Sequence, residues 1–109
     1  MKTVRFRATA LDDLRAFPAA ARREAGYQLD RVQIGRQPTD WKPLNTVGQG
    51  AFEIRIREAA SAFRVIYVAK FEDAIYVLHC FQKKTQATSK ADIRLAADRY
   101  RHLAKELNR

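Results

Sequence analysis

Arg55 and Arg57 stand two residues apart, Arg64 follows seven residues on, and Lys83 and Lys84 are adjacent. These types suit work on a phosphodiester. An arginine fork grips phosphate through paired hydrogen bonds and stabilises charge that builds on phosphorus. A lysine crowded by other cations can serve as a proton-transfer group. RNA carries its own nucleophile, the 2′-hydroxyl, so positioning, charge stabilisation and proton transfer suffice to cleave it without a metal.

These five residues act together only if the fold brings them together. Phe52, Ile54 and Ile56 alternate with Glu53, Arg55 and Arg57, a period of two that predicts a strand with one apolar and one charged face. Residues 58–61 make a hairpin-length turn. The next strand, Phe63 to Lys70, puts Arg64 and Lys70 on one face and Phe63, Val65 and Tyr67 on the other. Glu72-Asp73 makes a second turn. Ala74 to Phe81 is almost wholly apolar, as in a central strand buried on both faces. Lys83 and Lys84 then follow this strand, in a polar run of residues 82–90 with three lysines and no acid. If the charged faces agree, the cations converge on one open side of a three-stranded meander. Glu53 shares that face and can orient an arginine. Like charges on one strand face repel, which favours an anionic partner. Phe81, Lys70 and less directly Tyr67 are candidates to hold RNA, the aromatics by stacking on a splayed base. Plain core packing is the simpler role for each aromatic.

Upstream, Lys2–Phe6 reads as a short strand and Ala10–Phe17 as a helix with Asp12 and Asp13 in its first turn. Pro18 opens a second helix, Ala19–Val32, whose Ala21, Ala25, Leu29 and Val32 share a face. Gly35 is placed to end it. Residues 36–51 read as a long connection that Trp41 and Leu44 pin to the core. Ser89 and Asp92 mark the start of a last helix to Leu107, with a stripe of Ile93, Ala96, Tyr100, Leu103 and Leu107. The order is β-α-α-β-β-β-α, an α+β fold of helices on a small antiparallel sheet, in one domain spanning residues 1–109.

Composition agrees with a polyanion ligand. Twenty-one basic and twelve acidic residues give a net charge of +9. The excess is spread along the chain, with nine basic and five acidic residues before Phe52 and twelve and seven from there on. A single cysteine, Cys80, no apolar leader and no membrane-length apolar run point to a cytoplasmic, soluble protein. There is no glycine-rich phosphate loop, no zinc motif and no Cys-x-x-Cys, so neither metal nor cofactor is expected. His79, in the apolar strand, and Cys80 read as structural residues; His102 falls near the polar side of the last helix.

Three stretches together, Phe52-Glu-Ile-Arg-Ile-Arg-Glu, Phe63-Arg-Val-Ile-Tyr-Val and Ala74-Ile-Tyr-Val-Leu-His-Cys-Phe-Gln-Lys-Lys-Thr-Gln, resemble the RelE/HigB superfamily of bacterial toxins, in particular its phage-derived HigB-like branch. Asp92-Ile-x-x-Ala96 with Arg99, and Trp41-Lys-Pro-Leu before the sheet, extend the likeness over nearly the whole chain. The resemblance implies a ribosome-dependent mRNA endonuclease, the toxin of a type II toxin–antitoxin pair, that cuts through the 2′-hydroxyl without metal. It implies that Arg55 and Arg57 are the basic pair of the first meander strand. Arg64 is then the arginine at the scissile phosphate, and Lys83 and Lys84 the basic pair after the last strand. It also implies a cognate antitoxin, commonly a helix-turn-helix protein, through which alone the complex meets promoter DNA. RelE-like members often have a tyrosine near the C-terminus, where this chain reads Leu107-Asn108-Arg109. A noncatalytic nucleic-acid-binding or regulatory module on the same scaffold is the alternative. A third is an interaction protein whose positive face serves an acidic partner.

Overall fold

The computed structural model describes residues 1–107; Asn108 and Arg109, part of the C-terminal departure noted above, lie outside them. The elements are β1 (Thr3–Phe6), α1 (Ala10–Arg15), α2 (Ala19–Gln33), β2 (Trp41–Pro43), β3 (Ala51–Glu58), β4 (Ser61–Val68), β5 (Ala74–Lys83) and α3 (Lys90–Leu107). They form an α+β fold around one five-stranded sheet in the order β1-β5-β4-β3-β2. The β3-β4-β5 meander is antiparallel, as its short turns require.

Two features differ from the sequence expectation. The sheet is mixed rather than antiparallel, because β1 pairs parallel with β5, Thr3 opposite Ala74. Two helices intervene between β1 and the meander and supply the long crossover that a parallel pairing needs. The long connection also contains a strand. Trp41–Pro43 pairs antiparallel with β3 at the sheet edge, and Trp41 packs edge-on against Phe52 at 5.2 Å. Pro43 lacks an N–H, which an outer edge strand tolerates; three residues ending in proline carry too little period to be read as a strand.

Helices cover both faces of the sheet. On one face α1, α2 and the connection between them bury Leu14, Phe17, Ala21, Ala25, Leu29 and Val32 against Ile54, Ile56, Phe63, Val65, Ile75 and Val77. The four α2 positions are those its spacing marked, and Gly35, at φ +85°, ends the helix in the left-handed conformation. On the other face α3 sets Ala96 and Leu103 over Ala51, Ile66, Val68, Ala74, Tyr76 and Leu78. Ser89 starts α3, its Oγ accepting the Asp92 N–H at 3.1 Å. Tyr100 belongs to the apolar stripe, but its hydroxyl also donates to the Gln49 carbonyl at 2.6 Å. A methyl group on Gly48 would stand 2.7 Å from the Tyr100 ring, so that glycine admits the close approach.

The β3–β4 turn consists of Ala59 and Ala60, with Ala59 at φ +53°. An L-residue pays about 1 kcal/mol in that region, more than glycine loses in chain entropy. Ala59→Gly is therefore expected to raise the melting temperature by about 2–4 °C in a thermal melt.

Candidate functional site

The register turns the predicted charged face into three rows across the meander. Glu53, Ile66 and His79 lie side by side, then Arg55, Arg64 and Phe81, then Arg57, Ala62 and Lys83. All nine belong to the face that α3 packs on. The helix covers the half of that face around Val68 and Leu78 and leaves the end near the β3–β4 turn open, where Arg57 is exposed. Of the expected site residues, Arg55, Arg57, Arg64, Lys83 and Phe81 are thus brought together. Lys84 stands one residue past the strand end. Lys83 is itself the last residue of β5, two residues further into the strand than its apolar run indicated.

Lys70 is not brought together with them. It follows the end of β4 opposite to the one that carries Arg64, and six residues of extended chain span about 20 Å. Its ammonium sits over the Phe71 and Tyr100 rings, 5.2 and 5.6 Å from their centroids. Tyr67 lies on the opposite face of the sheet, buried beside Phe52, where burial pushes its hydroxyl pKa up to about 12.

Arg64 sits at the centre and is 8 % exposed. Its Nε lies 3.5 Å from Oε1 of Glu53, an ion-pair distance without hydrogen-bond alignment, and one terminal nitrogen donates to the Phe63 carbonyl at 3.0 Å. Burial lowers the Arg64 pKa; the charges of Arg55 and Arg57 lower it further, against the opposing pull of Glu53 and Asp40. Glu53 is fully buried. Besides Arg64 it meets Lys42 of β2 at 3.7 Å and accepts the Thr88 hydroxyl at 2.6 Å. Lys42 and Thr88 come from opposite sides of the site, and neither carries a sequence signal that points to Glu53.

Arg55 and Arg64 are directly opposite one another, an unfavourable like-charge pair. Two carboxylates relieve it. Glu53 serves Arg64, and Asp40, just before β2, takes both Nε and a terminal nitrogen of Arg55 at 2.9 Å. Part of the repulsion that pointed to an external anion is therefore answered within the fold. Among the described residues no carboxylate lies within ion-pair distance of Arg57, Lys83 or Lys84, and these remain available to a phosphate. Arg55, Arg57 and Arg64 line a small cavity of about 140 Å³ with Asp40, Ile56 and Ala62.

His79 adds a second polar centre. Its Nε2 is 2.7 Å from Oδ1 of Asp92, whose other oxygen accepts the Ser89 hydroxyl at 2.7 Å. Among the described residues Nδ1 of His79 is buried without a hydrogen-bond partner, and its ring stacks on Phe81 with centroids 4.6 Å apart. Leu78 is the extra residue of a β-bulge, since Ile66 pairs with His79 and Tyr67 with Val77. Arg99 donates to the Leu78 carbonyl at 2.8 Å. The bulge brings His79 into line with Glu53, which strict alternation from Ala74 does not anticipate.

Cys80 faces the α1–α2 core. Burial, and next the charge of Asp13, push its thiol up to about 12. The thiol stays protonated at neutral and mildly alkaline pH, so native protein is expected to resist iodoacetamide up to about pH 9 and to react once unfolded. Rapid native labelling, followed by mass spectrometry, would contradict that placement.

No curated protein matches the sequence. An arginine double mutant of the Escherichia coli toxin RelE, solved in the free state, superposes with a TM-score of 0.63 at 15 % identity, over 94 % of this chain and 97 % of that one. At that identity the likeness shows the fold. Residues 12–101 match the family described as phage-derived protein Gp49-like. With the RelE fold around it, the match places the sequence: the chain belongs to the phage-derived Gp49-like family, a RelE/HigB-type toxin family.

Proposed function

We propose that this RelE-type toxin is a metal-independent endoribonuclease that cuts mRNA on the ribosome. The observation that carries the reading is the cross-strand cluster of Arg55, Arg57, Arg64 and Lys83 at the uncovered end of the sheet. The 2′-oxygen attacks the adjacent phosphorus, the bond to the 5′-oxygen breaks, and a 2′,3′-cyclic phosphate remains on the upstream fragment. Arg57 and Arg64 stabilise the negative charge that grows on the non-bridging oxygens. Of the Lys83–Lys84 pair, one reacts as the neutral amine and accepts the 2′-hydroxyl proton, while the other, as the ammonium, gives a proton to the leaving 5′-oxygen. Asp40 holds Arg55 at the cavity wall. Phe81, backed by His79, offers a ring on which a base can stack.

Family membership implies an antitoxin partner. We further propose that it is a helix-turn-helix protein, that the complex meets promoter DNA only through it, and that the toxin acts in the cytoplasm. Among the described residues no helix is long and apolar enough to cross a membrane.

The test is induction in cells with sequencing of mRNA 5′ ends. Growth arrest with cuts in phase with codons is expected. Binding without cleavage is the second reading, favoured by the carboxylates already seated on Arg55 and Arg64. It predicts neither arrest nor cuts. Both readings require phosphate contacts. If about four phosphates are held, affinity for single-stranded RNA falls roughly 50-fold between 50 and 200 mM salt. An affinity flat across that range in a filter-binding titration would overturn both.

A further inference from the structure

A second basin adjoins the arginine cavity. It occupies about 680 Å³ between the β3–β4 turn and the segment after β5, and Arg57, Ser61, Gln82, Lys83, Lys84 and Gln86 are among the residues that line it. It shares Arg57 and Ala62 with the smaller cavity, so the two are neighbours around one guanidinium. Their sizes differ almost fivefold. The small cavity suits a phosphoryl group, whereas the basin has room for a whole nucleotide.

The lining differs in kind as well. Asp40 stands in the small cavity, but among the described residues no carboxylate lines the basin. In its place are two primary amides, two hydroxyls and two ammonium groups. An amide presents a donor and an acceptor side by side, the pattern that matches a base edge. Gln82 alternates to the other side of β5 from Lys83 and borders the basin at the strand end, and among the described residues its amide has one long contact, 3.4 Å to the Ser61 hydroxyl, which a base can replace at little cost. The Lys83 ammonium donates to the Gln86 backbone carbonyl at 2.7 Å, which fixes that side of the basin and keeps the ammonium inside it.

We infer that this basin is a nucleotide subsite. It holds the residue next to the scissile phosphate of the same RNA strand. Arg57 spans the two phosphates, Lys84 meets the outer one, and the amides of Gln82 and Gln86 read the base. The inference rests on the arginine cavity being the phosphate site, and it gives that site a source of base preference.

Two measurements test it. In the first, an RNA oligonucleotide carries a 2′-deoxy sugar at the scissile position and 4-thiouridine at the adjacent nucleotide, and is irradiated with the protein. Cross-links to residues 60–62 or 82–86 are expected; cross-links confined to other segments overturn the subsite. This readout requires binding but no cleavage, so it decides the point even if the nuclease reading fails. In the second, Gln82→Ala combined with Gln86→Ala is compared with the parent on RNAs that differ only at that nucleotide. Both side chains are exposed, so the fold is expected to survive. Relative affinity for the four bases should flatten by about tenfold while affinity for an abasic nucleotide at that position stays the same. An unchanged base preference overturns the assignment of the amides.

Discussion

Arg64→Ala is expected to abolish toxicity, with a 100- to 1,000-fold fall in single-turnover cleavage of ribosome-bound mRNA, the cost of losing one preorganised donor to a developing oxyanion. Burial amplifies the effect. A guanidinium shielded from water interacts with phosphate more strongly than an exposed one. Arg64→Lys keeps the charge and is expected to recover only part of the rate, because a lysine cannot present the planar fork. Arg57→Ala, at an exposed position, should weaken binding and rate together. Arg55→Ala should cost least of the three, because Asp40 already occupies its fork. Full toxicity in folded Arg64→Ala protein would remove Arg64 from the chemistry.

Glu53→Ala is expected to be the most destabilising substitution in the site, by about 3–5 kcal/mol in chemical denaturation, because it strands the buried Arg64 charge. That is a large fraction of the roughly 5–15 kcal/mol that holds a domain together. The double variant Glu53→Leu with Arg64→Met separates function from stability. A buried ion pair replaced by apolar groups of similar volume often leaves stability unchanged or higher. The double variant should regain at least parental stability and remain inactive. A double variant as unstable as Glu53→Ala alone would mean that Lys42 and Thr88, the other partners of Glu53, carry most of its contribution.

Much of this site was legible because strand period is a local property. Alternation from Phe52 to Arg57 and from Phe63 to Val68 put Arg55, Arg57 and Arg64 on one face, and the register keeps them there. What escaped depends on partners distant in sequence. Asp40 is an unremarkable loop acid until β2 pairs with β3. Thr88 lies 35 residues from the carboxylate it binds. The hydrogen bond between His79 and Asp92 joins an apolar strand to a helix start, each legible alone and their meeting in neither. Lys70 failed in the other direction. Alternation assigned its face correctly but says nothing about which end of the sheet a residue occupies. The parallel pairing of β1 with β5 was hidden for the same reason: Thr3 and Ala74 carry no mark of one another.

That pairing also bears on when the basic cluster becomes complete during synthesis. Synthesis runs from β1 towards α3, yet β1 must wait for β5, and β4 lacks its inner neighbour until the same strand emerges. Closing such distant pairings is slow and comes late in folding. Phe81, Lys83, Lys84 and the Thr88 hydroxyl that steadies Glu53 all belong to the last third of the chain. A ribosome translating this message therefore carries an incomplete basic cluster for most of the time the nascent chain is attached. The interval between completion of the sheet and capture by the antitoxin is what remains for the cell to guard.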